Sequence, residues 1–261
     1  MVIVDKKVVV DHSTCSTCTQ CIAICPEMAL SWDGIAPARF IPDLLPSPEQ
    51  LSELIAERRT CRDFEATPLD RSTLAEIAAV GVLAPTHNFR LRSIIVDEPK
   101  LIAAFDRASF ELSAKTYRLL FRPRLVRWLA LRAARPIREE FTRATPKLKA
   151  AMRRGTGFKA QPAAIICVVG DRRVPLSVES AQYALYNMML FAQAKGLGCQ
   201  NLVGNQIAFN RSRTIRVSLG LGKHERICAV IGMGIPSVQF RNRVQGKRMR
   251  IQWNGRSENV Q

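Results

Sequence analysis

The stretch VESAQYALYNMMLFAQAK, residues 178–195, carries only Glu179 and Lys195 as charges and is followed directly by Gly196. It is too long for a strand and apolar nearly all round, which predicts a buried helix with a glycine stop at its C-terminus. Two shorter apolar runs flank it in the chain, AAIICVV at residues 163–169 and ICAVIGM at 227–233. Their length and their Ile and Val content predict strands covered on both faces. Upstream, Ser47-Pro48-Glu49-Gln50 reads as an N-cap, a proline in the first turn and a capping-box glutamine, with a helix running on to about Arg59. A second helix is expected over residues 70–83, with Leu74, Ile77, Ala78 and Gly81 on one face. A short strand is expected at 94–96, and residues 100–155 read as mostly helical. Strands separated by helices, with no internal repeat, imply an α/β or α+β domain over residues 46–261.

Composition narrows the class. The chain has 261 residues, 47% apolar and 23% charged, as in an ordinary folded protein and unlike a disordered one. No window approaches 18 consecutive apolar residues, which excludes a membrane-spanning helix. The opening MVIVDKKVVVDHS places acidic residues where a signal peptide needs an apolar core, so a cytoplasmic protein is expected.

The net charge of +17 is unevenly placed: residues 1–50 carry three basic and six acidic side chains, whereas residues 115–154 carry 13 Lys or Arg and two Glu. In the second segment the arginines alternate with Leu, Phe121 and Trp128, as in FRPRLVRWLALRAARPIREEF. Three readings stay open: a solvated helical face, a docking surface for an acidic protein, or contact with an anionic membrane or nucleic acid. No zinc-finger spacing or aromatic RNA-binding signature supports nucleic acid.

Four of the eight cysteines fall within eleven residues: Cys15, Cys18, Cys21 and Cys25, the last followed by Pro26. C-x2-C-x2-C-x3-C-P is the run that wraps an iron–sulfur cube in bacterial ferredoxins. A four-thiolate zinc site pairs two C-x2-C knuckles across a longer gap, and a disulfide framework does not suit a cytoplasmic chain. In two-cluster ferredoxins the fourth cysteine serves the other cluster. Here Cys25 either completes a single 4Fe–4S cube or belongs with a second run upstream of the given start. The strand pair expected over residues 2–10, around Asp5-Lys6-Lys7, resembles the middle of a ferredoxin. Residues 33–50, with four prolines, read as a linker. Cys61, Cys167, Cys199 and Cys228 stand alone and are read as small buried hydrophobes.

Several stretches, in order and over nearly the whole chain, resemble the nitroreductase family, in its branch with an N-terminal ferredoxin-like 4Fe–4S domain. Arg58-Arg59-Thr60-Cys61-Arg62-Asp63-Phe64 resembles the family's R-x-S-x-R-x-F turn, and Ala84-Pro85-Thr86-His87-Asn88 its A-P-S-x-x-N loop. Gly196-Leu197-Gly198 with Gly204 resembles the glycines that face the flavin. Gly232-Met233-Gly234-Ile235-Pro236 resembles the strand end, and residues 247–253 the closing basic stretch. After Asn88 the chain departs from the family pattern, continuing as Phe89-Arg90-Leu91-Arg92.

The resemblance implies an α+β, three-layer α-β-α FMN-binding domain over residues 46–261 with a basic helical insert near 101–160, behind a 4Fe–4S module over 1–45. It implies a homodimer with FMN in a cleft shared by both subunits. Arg58, Arg59 and Thr60 would meet the phosphate and ribityl chain, and Arg62 the flavin's N1 and C2 carbonyl edge. Pro85 and Asn88 would line the cofactor loop, the Gly204 backbone would approach N5, and Lys247 or Arg248 would close on the phosphate. The cluster would sit on Cys15, Cys18, Cys21 and Cys25. The activity implied is electron transfer from the cluster, NAD(P)H or an acidic ferredoxin-type donor, by way of FMN, to a nitroaromatic, quinone or enone. A non-catalytic flavin and iron–sulfur carrier or redox sensor is the alternative. No hydrolase triad, P-loop or G-x-G-x-x-G fingerprint competes with these readings.

Overall fold

A computed structural model describes every residue except 1, 6, 12, 14, 16, 86–89, 124, 126, 127, 129–131, 133–137, 246–251, 254, 255 and 258–261. Its centre is strand β4 (Ala164–Asp171), whose side chains from Ala164 through Gly170 are all buried. In chain order the preceding elements are β1 (Val2–Val4), β2 (Lys7–Val9), α1 (Gln20–Ile24), α2 (Pro48–Glu57), α3 (Arg71–Val80), β3 (Leu91–Val96) and α4 (Pro99–Thr116). A π-helical turn (Tyr117–Phe121) continues α4, and α5 (Arg138–Arg154) precedes β4. After β4 come α6 (Ser177–Ala194), β5 (Gly198–Asn201), α7 (Gln206–Arg211), α8 (Arg213–Ser218) and β6 (Glu225–Gly234). A short hairpin, β7 (Gln252–Trp253) and β8 (Arg256–Ser257), comes last.

The four central strands are ordered β3-β4-β6-β5, and every neighbouring pair is antiparallel. That pairing settles the class as α+β. Alternation along β4 then sorts the core into two layers. Ala164, Ile166 and Val168 face a cluster with Leu74 and Ile77 of α3 and Leu185 and Met188 of α6. Ile165, Cys167 and Val169 face Phe105 of α4, Phe209 of α7 and Ile215 of α8. Helices therefore cover both faces of one sheet, the three-layer arrangement the resemblance implies. A bulge opposite Val168 and Val169 inserts Cys228 into β6, so that Cys228 and Ala229 both join the α6 side before alternation resumes.

The local signals hold closely. Ser47 Oγ accepts from Gln50 N–H and Gln50 Oε1 accepts from Ser47 N–H, the full capping box of α2. At the end of α6, Gly196 has φ 76° and donates to Gln193, while Leu197 donates to Ala192, the 5→2 and 6→1 pair of a Schellman motif. Strand β3 begins three residues earlier than the apolar pattern alone suggests, because Leu91, Arg92 and Ser93 pair with Gly170, Val169 and Val168. Arg92 then forks across β4 onto Glu225 at the start of β6, at 2.8 and 2.9 Å. The expected N-terminal strand pair forms as β1–β2. In the expected linker, Trp32 bridges Ile35 and a short 3-10 turn spans Pro42–Leu44. Among the described residues no helix is long and apolar enough to cross a membrane.

Candidate functional site

The arginine turn leaves α2 and docks on the open edge of the sheet. Thr60 bridges Cys199 of β5 in parallel, and Cys61 N–H donates to the Cys199 carbonyl at 3.0 Å. Phe64 bridges Pro236 beyond the end of β6, with Glu65 N–H donating to Ile235 and Ser237 N–H donating to Asp63. Two glycines make room for this clasp. A Cβ at Gly198 would stand 2.7 Å from Cys61 Cβ, and one at Gly234 would stand 2.9 Å from the Phe64 ring. Gly198 thus packs closely against Cys61 where the turn docks. Lys159, from the segment after α5, holds the turn from outside through Asp63 at 3.0 Å.

Beside the clasp lies a cleft of about 350 Å³ lined by Arg59, Cys61, Leu197, Gly198, Pro236 and Phe240. Arg59 is part-buried, and its Nη1 donates to the carbonyls of Ala56 at 2.6 Å and Arg58 at 3.0 Å, at the electronegative end of α2. Arg58 is also part-buried, and its Nε is fully enclosed without a hydrogen-bond partner among the described residues. Arg62 is exposed. Burial pushes the Cys199 thiol up to about 12, the nearby Arg58 guanidinium pulling the other way. Cys199 is therefore a protonated packing thiol and not a nucleophile at neutral pH.

Gly204, another of the expected residues, sits in a 3-10 turn (Val203–Asn205) just past β5, and a Cβ there would meet open space. Gln200, between Cys199 and that turn, has its Oε1 buried without a partner among the described residues. Pro85 is exposed after the turn that ends α3. Asn88 and His87, and Lys247 and Arg248, lie outside the described residues. Sequence reasoning does not single out Cys61 or Gln200 for the site. The signal available for Cys61 is the small residue required opposite it at Gly198.

The cysteine run forms the loop into α1. Cys15 and Cys21 line a cavity of about 190 Å³ with Val8, Ile22, Leu30 and Trp32. Thr17 N–H donates to Cys15 Sγ and Ala29 N–H donates to Cys25 Sγ, each at 3.4 Å. Among the described residues no three Cys, His, Asp or Glu side chains converge as a metal site in this arrangement. Ile22 is the one buried side chain among the described residues of the first 45.

The family model described as the nitroreductase family matches residues 55–235. No curated protein matches the chain. Among solved structures, a nitroreductase with bound FMN from Desulfitobacterium hafniense DCB-2 is 17% identical, covering 75% of this chain and 93% of its own, with TM-score 0.57. An oxidised iodotyrosine deiodinase bound to FMN and 3-iodo-L-tyrosine is 20% identical over 78% of this chain and 98% of its own, with TM-score 0.55. An FMN-dependent nitroreductase from Clostridium difficile R20291 is 13% identical over 77% of this chain and 98% of its own, also with TM-score 0.55. At such identities the likeness is one of fold.

Proposed function

The chain belongs to the nitroreductase family and is an oxidoreductase enzyme, and we propose that it binds FMN at the arginine turn and reduces a small organic acceptor such as a nitroaromatic, a quinone or an enone. The electrons come from NAD(P)H or a small acidic ferredoxin-type donor. A 4Fe–4S cluster on Cys15, Cys18, Cys21 and Cys25 belongs to the same redox equipment. Bound FMN supplies two-electron storage and hydride transfer, and a bound cluster supplies one-electron relay.

The observation that carries this reading is the enclosed Nε of Arg58, unpartnered among the described residues and next in sequence to Arg59, which lines the cleft. A buried guanidinium N–H without an acceptor is costly, and a phosphate anion answers it with matching fork geometry. Arg59 would exchange two neutral carbonyls for the same anion, and Arg62 would face the flavin's N1 and C2 carbonyl edge. The unfilled space at Gly204 suits close approach of a ring edge to backbone. A second copy of the chain is the proposed cover for an apolar cleft of about 470 Å³ among Ala78, Val82, Leu91, Val168, Ala184 and Met188.

For the N-terminal module the supporting observation is the missing core. A segment that buries so little cannot hold itself by apolar burial, and four thiols on ligand spacing offer the substitute. Amide N–H groups already aimed at the sulfurs of Cys15 and Cys25 are the kind of bond that tunes such a cluster.

Steady-state turnover tests the reading. Oxidation of NAD(P)H or of a reduced ferredoxin in the presence of a nitroaromatic or a quinone supports it. FMN-loaded protein that turns over none of these acceptors overturns it in favour of a carrier.

A further inference from the structure

Four of the large apolar side chains described in the basic segment after α4 are exposed. Leu119 is 57% exposed, Leu120 41%, Leu125 68% and Trp128 54%, while Phe121 between them, at the end of the π-helical turn, is buried. The cations of the same segment surround them: Lys115, Arg118, Arg122 and Arg132 are exposed. So are Arg143, Lys147, Lys149, Arg153 and Arg154 on α5. Leu125 and Trp128 are both helical in conformation and exposed, and the Arg132 guanidinium lies over the Trp128 ring at 5.4 Å. From residue 115 to 154 the sequence has 13 Lys or Arg against two Glu. Glu139, one of the two, pairs with Arg143.

A merely solvated helix would turn its leucines and tryptophan inward, and these point outward. An outward Leu and Trp stripe bedded in arginine is the composition of a helix that lies in the headgroup plane of an anionic bilayer. Trp is suited to that depth because its ring is apolar and its indole N–H stays wet. We infer that the basic insert, through Leu119, Leu120, Leu125 and Trp128 and the exposed Arg118, Arg122 and Arg132, docks this enzyme peripherally on an anionic lipid surface. The match is one of charge and of apolar reach: many cations meet lipid phosphates and carboxylates, and four large side chains enter the acyl boundary. The inference is independent of what the FMN site binds.

Flotation of the purified full chain with lipid vesicles at physiological ionic strength tests it. Vesicles of equal parts phosphatidylglycerol and phosphatidylcholine are expected to carry the protein about a hundredfold better than pure phosphatidylcholine. Leu125→Ser with Trp128→Ser lowers that partition at least about tenfold, with melting temperature unchanged because both side chains are exposed. Arg118→Glu, Arg122→Glu and Arg132→Glu together abolish flotation. Lipid brominated along its acyl chain quenches tryptophan emission of the native chain, and Trp128→Phe removes that quenching while leaving flotation. Equal partition onto both vesicle types overturns the inference, as does flotation untouched by the two serine substitutions. Failure to float, with tight salt-sensitive binding of an acidic ferredoxin lost in the arginine variant, overturns it in favour of a protein partner.

Discussion

In β4 seven consecutive side chains are buried, between helices on both faces, whereas among the described residues of the first 45 only Ile22 is. The two regions are held by different physics. The sheet is stabilised by apolar area removed from water, on the order of 25 cal/mol per Å², and needs no ligand to keep its shape. The N-terminal segment has a hairpin, one turn of helix and four thiols in place of a core. The arginine turn stands between them: its backbone is clasped by the sheet, while the Nε of its Arg58 is enclosed without an acceptor among the described residues. The general lesson is that self-sufficient packing marks the scaffold.

The sharpest way to break this contrast is to remove the proposed cluster. Chelation of iron, or Cys18→Ser, is expected to abolish amide protection across residues 2–32 and leave the thermal transition of the sheet domain in place. Hydrogen exchange read by mass spectrometry checks both halves. Equal protection with and without iron would mean that the segment folds unaided. Cys25→Ser sharpens the same point, with iron content expected to fall as far as in Cys18→Ser if all four thiols hold one cube.

On the scaffold side, Phe209 is fully buried and packs on Phe105 with ring centroids 4.7 Å apart. Phe209→Ala is expected to cost about 3–5 kcal/mol in denaturant unfolding, with iron content per folded chain unchanged. A cost below about 1 kcal/mol would show that this layer is not close-packed.

Much of the scaffold is legible in the sequence because its signals are local. The capping box at Ser47, the glycine stop at Gly196 and the apolar runs of β4, α6 and β6 each depend on a few adjacent residues. The bulge at Cys228 and the early start of β3 are not, since both are decided by a partner strand: Arg92 reads as polar and loop-like until Val169 and Glu225 are beside it. The site divides in the same way. The type and spacing of the arginines can be read directly. That Gly198 makes room for Cys61, or that Lys159 reaches Asp63, depends on chain segments about 100 residues or more apart.

A smaller effect is expected at the cofactor site itself. Arg59→Ala should weaken FMN binding by about 1.5–3 kcal/mol, the worth of a charge-assisted hydrogen bond, while the clasp survives because it is made by backbone groups. Titration of apoprotein with FMN reads the loss, and unchanged affinity would remove Arg59 from the site.

The smallest effect belongs to the sheet edge. Hydrogen bonds from Arg92 hold the Glu225 carboxyl at about 2, below its ordinary 4.5. A carboxyl so depressed contributes stability that is fully present above about pH 4.5 and is lost as pH falls toward 2. Arg92→Gln should therefore cost about 0.5–1 kcal/mol at neutral pH, the range for an exposed pair, and flatten the acid limb of the stability curve in that window. An unaltered limb would assign the acid sensitivity to other carboxylates.

Whether an FMN site and an iron–sulfur site share this chain is decided by the visible absorption spectrum of the anaerobically purified protein. Structured flavin bands are expected, standing on a broad sulfide-to-iron charge-transfer background, both bleaching on reduction. A colourless protein, or one that stays colourless after reconstitution with FMN, iron and sulfide, would contradict the shared-chain reading.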